Sequence, residues 1–138
     1  MKILKIILLC IFLNSNLQAN SSYFEQGLIF YNKSELEKAK FKFEQDLVFN
    51  PRSEKSYLYL SKIFKRLEKN ELEEKNLNST ILLNPKNEEA TFNLAELKLK
   101  KSNYSESKIL VEQLLIICKE YCQRSKKLKI EIEKLIKK

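Results

Sequence analysis

Pro51 and Pro85 are the only prolines in the chain, and they stand 34 residues apart in the same local phrase. Each follows an apolar residue and an asparagine, precedes a basic residue, and opens a polar run leading into an apolar-periodic segment. The two stretches are "FNPRSEKSYLYLSKIF" from Phe49 and "LNPKNEEATFNLAELK" from Leu83. Proline cannot continue a helix and restricts the residue before it, so two prolines placed this way mark the ends of equivalent units. With one glycine in 138 residues there is little material for tight hairpin turns between strands, and the units are expected to be helical.

Setting each proline at position 32 of a 34-residue unit places unit starts at Asn20, Glu54 and Glu88. Position 8 then holds Gly27, Ser61 and Ala95, all small. Position 4 holds Tyr23, Tyr57 and Thr91, position 11 holds Phe30, Phe64 and Lys98, and position 24 holds Phe43, Leu77 and Val111. Position 20 holds Ala39, Glu73 and Ser107. A small residue in the first helix of a pair lets the second approach closely, while large residues fill the space between pairs.

This pattern resembles the tetratricopeptide repeat (TPR), best in the first unit, with Tyr23, Gly27, Phe30, Ala39, Phe43 and Pro51. The resemblance covers three units, 20–53, 54–87 and 88–121, and implies an all-α fold: a short α-solenoid of helix-turn-helix repeats. Departures fall in the later units. "KNELEEKN" looks like "KSELEKAK" shifted by two residues, and Glu73 takes a normally small position, so a longer turn is expected in the second unit. The third unit has Lys98 and Lys119 where an aromatic and a proline are expected. Ser53 and Asn87 are expected to cap the helices that follow the prolines.

The first 19 residues read as a cleaved secretory signal, with a retained membrane anchor as the alternative: Lys2 and Lys5, then the apolar run Ile6 to Leu13, then Leu17-Gln18-Ala19 before Asn20. Eight apolar residues are few for a helix that crosses a bilayer. The expected location is the periplasm or cell envelope. Export leaves Cys118 and Cys122, for which two readings stay open: a disulfide in an oxidising compartment, or two small residues at a helix junction.

Residues 122–138 carry seven basic and two acidic residues, so most of the net charge of the exported chain sits there. Leu128, Ile132, Leu135 and Ile136 form one apolar stripe, expected to cap the open end of the array. The same basic amphipathic helix suits contact with an anionic membrane surface or an acidic partner. Nucleic acid is an unlikely partner, because no aromatic residues interleave with the basic ones.

The chain has no histidine and no phosphate-binding loop, and its sequence offers no catalytic residue, metal ligand set or cofactor site. The resemblance instead implies a concave groove lined by the first helix of each unit, taking a protein or peptide partner. Its candidate residues are Phe24 and Tyr31 from the first unit, Tyr59, Lys62, Lys65 and Arg66 from the second, and Phe92 and Asn93 from the third. The middle group would form a basic, aromatic-edged strip. Phe24 and Leu28 stand where the family's two-carboxylate clamp wants Lys and Asn, which argues against that clamp. The expected function is an exported, non-catalytic scaffold. The alternatives are a subunit of the outer-membrane protein assembly machinery, by analogy of fold and export, and a membrane-surface protein acting through its basic tail.

Overall fold

A computed structural model describes residues 22–137; the expected signal segment lies outside the described residues. Seven helices follow one another among the described residues, with no strand. They are α1 (Tyr23–Asn32), α2 (Leu36–Phe49), α3 (Glu54–Arg66), α4 (Asn70–Leu83), α5 (Glu88–Lys100), α6 (Tyr104–Ile117) and α7 (Cys122–Ile136). The pairs α1·α2, α3·α4 and α5·α6 are antiparallel hairpins, and each second helix also packs on the first helix of the next pair. The result is an open helical array.

Three identical turns join the helices within pairs. The residue at position 15, which is Ser34, Glu68 or Ser102, has φ of 56–59°. In each turn the next N–H donates back to the carbonyl of position 11, as in Glu35 to Phe30, Lys69 to Phe64 and Asn103 to Lys98. The left-handed residue itself donates to position 12, so two carbonyls left over at the helix end are satisfied. All three second helices begin at position 17 and end at position 30. The expectation of a longer turn in the second unit is therefore corrected: "KNELEEKN" adopts the same register as its counterpart.

Between pairs, Asn50 and Asn84 are extended (φ −133° and −139°), as a residue before proline must be. Proline occupies the second place of a β-turn closed by Ser53 N–H to Asn50 O and Asn87 N–H to Asn84 O, both 3.0 Å. Asn87 then caps α5 by accepting from Ala90 N–H at 2.9 Å. Ser53 makes no such bond, contrary to expectation. Its hydroxyl donates to Ser56 Oγ (3.1 Å), and Ser56 donates to Asp46 of α2 (2.5 Å), so it joins a chain between units.

Position 8 lies at the crossing of paired helices. Gly27 faces the ring of Phe43, and Ser107 of α6 donates to the carbonyl of Ala95 in α5 at 2.7 Å. Three apolar clusters follow the repeat, centred on Phe43 and Ile63, on Leu77 and Leu94, and on Val111 and Leu114. Lys98, at the aromatic position of the third unit, is only 8% exposed. Its stem fills the space while its ammonium reaches Glu74 (2.7 Å) and Glu106 (2.9 Å). Burial works against that charge, but the two carboxylates outweigh it and hold the ammonium above the ordinary lysine value.

Among the described residues the array is closed at one end and open at the other. Leu128 and Ile132 of α7 are buried against the last cluster, whereas Ile136, expected in the same stripe, is 50% exposed. At the other end Ile29 and Phe41 of the first unit are exposed, although position 10 is core in the later units, at Ile63 and Leu97. No described helix is long and apolar enough to cross a membrane.

Candidate functional site

The first helices of the units, α1, α3 and α5, lie side by side and form one wall. Between α1 and α3 the contact is aromatic. Tyr59 meets Phe24 edge-on (centroids 5.7 Å apart) and Tyr31 edge-on (5.1 Å), and it stacks on buried Phe43 (5.2 Å). Arg66 lies 4.4 Å above the Tyr31 ring and Lys62 lies 4.5 Å above Tyr59. These are the edge and face preferences expected of aromatic quadrupoles and nearby cations.

Between α3 and α5 the contact is ionic. Lys62 pairs with Glu89 at 2.8 Å and Lys65 with Glu96 at 3.0 Å. Two of the three cations expected to make a basic strip are thus neutralised by carboxylates from the next unit. Arg66 is exposed and makes no ion pair among the described residues, so it is the cation of that group that a ligand would meet uncompensated.

The third unit contributes differently from expectation. Phe92 is 3% exposed, packed among Ala95, Val111 and Leu114 beneath the Arg124 guanidinium (4.2 Å), so it is a core residue that shows only a trace of its ring at the surface. Leu58, at the same position 5 of the second unit, is likewise core. In this chain position 5 therefore belongs to the packing between units. Asn93 is half-buried one residue further on.

Sequence reasoning expected α7 to be a cap and missed that it continues the repeat. Cys122 follows Glu88 by 34 residues, so α7 begins at position 1 of a fourth unit and extends the wall. That arithmetic was the available signal. A cleft of about 220 Å³ opens between α5 and α7, lined by Phe92, Glu96, Arg124, Lys127, Leu128 and Glu131.

Two devices hold the link into α7. Cys118, just past the end of α6, is bonded to Cys122, the first residue of α7, with Cα atoms 5.3 Å apart. The Glu88 carboxylate also accepts three consecutive backbone N–H groups, from Lys119 (2.7 Å), Glu120 (3.0 Å) and Tyr121 (3.0 Å). Led by the bond from Tyr121, these donors hold the Glu88 carboxyl below the ordinary carboxylate value.

No family model and no curated protein sequence matches the chain. Solved structures do. The chain is similar to the first TPR of Spaghetti (RPAP3) bound to an HSP90 peptide, with TM-score 0.76 and 15% identity over 84% of this chain and 91% of that one. It is similar to the TPR2B domain of yeast Sti1 in its pHsp70 complex, with TM-score 0.75 and 12% identity over 82% and 94%. It is also similar to the Yersinia enterocolitica type III secretion chaperone SycD in complex with a peptide of the translocator YopD, with TM-score 0.76 and 16% identity over 84% and 92%. The fold is the all-α TPR solenoid.

Proposed function

We propose that the protein is an exported, non-catalytic scaffold that holds an extended segment of another protein in its concave groove, in the periplasm or cell envelope. The observation that carries this is the continuous wall of α1, α3, α5 and α7, which offers rings, ion pairs and a cleft but no reactive group. Three of the similar structures carry a partner in their descriptions: an HSP90 peptide, pHsp70 and a YopD peptide. The export half of the proposal rests on the reading of residues 1–19.

Capture from an envelope fraction tests the groove. Wild-type protein is expected to retain a partner that Tyr59→Ala and Arg66→Ala variants lose, each by roughly tenfold, the scale of one aromatic or arginine anchor. Equal capture by all three proteins would remove the groove from the binding account. N-terminal sequencing of protein recovered from that fraction tests export: it should begin at Asn20.

A further inference from the structure

Carrying the unit register past the third repeat changes the meaning of the last helix. The positions at which neighbouring first helices meet across the wall include 2, 6, 9 and 12, as in Lys62 of α3 with Glu89 of α5 and Tyr59 of α3 with Tyr31 of α1. In α7 positions 6, 9 and 13 fall on Lys127, Ile130 and Lys134. Lys127 does line the cleft against α5.

Charge is distributed unevenly along the wall. In the middle, cations and carboxylates pair off, and Glu96 at the edge of the cleft is already bonded to Lys65. On α7, Lys126, Lys127 and Lys134 make no ion pair among the described residues, and all three are exposed. With Arg124 they make four cations against Glu131 and Glu133 on the same helix. Arg124 lies over the rings of both Phe92 (4.2 Å) and Tyr121 (4.9 Å) and also engages the Tyr121 hydroxyl, which holds its exposed guanidinium at the cleft, where its five N–H donors exceed what one hydroxyl uses.

We propose that this end of the groove anchors an acidic, extended segment of a partner protein. Its carboxylates meet Arg124, Lys127 and Lys134, and one apolar side chain enters the cleft between α5 and α7. The inference rests on the groove reading above and specifies the chemistry of what the groove takes. A membrane surface fits the same helix less well. An interfacial helix needs an apolar face to insert, and here Leu128 and Ile132 are buried, leaving Ile130 and Ile136 as separate exposed residues.

Fluorescence anisotropy on the full chain tests this with a labelled peptide of about twelve residues, glutamates around a central leucine, and its glutamine counterpart. The glutamate peptide should bind and the glutamine peptide should not, and binding should weaken as salt rises. The double variant Lys127→Gln, Lys134→Gln should bind about tenfold more weakly, the loss expected for two charge-assisted contacts. Both lysines are exposed, so the variant keeps the fold. Equal binding of the two peptides, no binding of either, or an unaffected double variant overturns the proposal. If Tyr59→Ala alone abolishes peptide binding, the groove reading stands and the charge assignment fails. If the two lysines govern binding to phosphatidylglycerol vesicles but not to the peptide, α7 is a membrane-surface element and the proposal is likewise overturned.

Discussion

A Cβ built on Gly27 would lie 2.6 Å from Cε1 and 2.7 Å from Cδ1 of Phe43, whose ring is fully buried against Phe24 and Tyr59. Gly27→Ala should therefore destabilise the protein by roughly 1–2 kcal/mol, because overpacking outweighs the gain in helix propensity, and urea unfolding would measure it. Glu73 raises the opposite question, since it occupies the small position 20 and is only 3% exposed. Burial pushes its carboxyl above the ordinary range; Lys65 and Lys100 pull it down, and Glu96 pushes it up. A carboxyl whose folded pKa is raised favours the protonated fold, so it costs stability at neutral pH and less as the pH falls towards its ordinary value, about 4.3. Glu73→Gln should raise the urea midpoint at pH 7, and that advantage should shrink on acidification. A midpoint that falls instead would mean that the two lysines outweigh burial.

Within each pair of helices, stability is limited by the turn. Ser34, Glu68 and Ser102 hold a left-handed conformation that costs an L-residue about 1 kcal/mol and costs glycine little. Glu68→Gly is expected to stabilise the second unit by up to about 1 kcal/mol, and thermal unfolding would show it. The exposed charge at Glu68 makes no ion pair among the described residues, so only the greater freedom of glycine in the unfolded chain offsets the gain. The link before α7 depends on different chemistry. Glu88 has a lowered carboxyl pKa, so its contribution is complete above the ordinary carboxylate range and is lost as pH falls through the folded value. Protection of the Lys119, Glu120 and Tyr121 amides, relative to their intrinsic exchange rates, should fall below that value, and Glu88→Gln should show the reduced protection at neutral pH.

An open array is stabilised mainly between neighbours, so its ends loosen before its middle. Here the last cluster, with Val111 and Leu114, is covered on one side by α7 alone. Reducing the Cys118–Cys122 bond opens a short loop and should lower stability by about 2 kcal/mol on the chain-entropy estimate. Hydrogen exchange should show the loss concentrated in α6 and α7, with α3 and α4 little changed. Uniform loss across all seven helices would mean that the array unfolds as one cooperative block. The same geometry ties the cap to the groove, because the helix that protects Phe92 also supplies Lys127 to the cleft.

The repeat length, the helical class, the unit phase and the small residues at helix crossings were legible in the sequence, because each is a local matter. Proline ends a helix wherever it stands, and Gly27, Ser61 and Ala95 recur at one period whatever surrounds them. Other features were decided only when the units stacked. That Lys62 and Lys65 would be neutralised depends on Glu89 and Glu96 arriving from the next helix. That Phe92 would be core depends on Arg124 and Tyr121 closing over it, and that Glu73 and Lys98 would be tolerated inside depends on charges on neighbouring helices. Burial and ion pairing are properties of what lies opposite a residue, and in a stacked array what lies opposite is about one unit away in sequence.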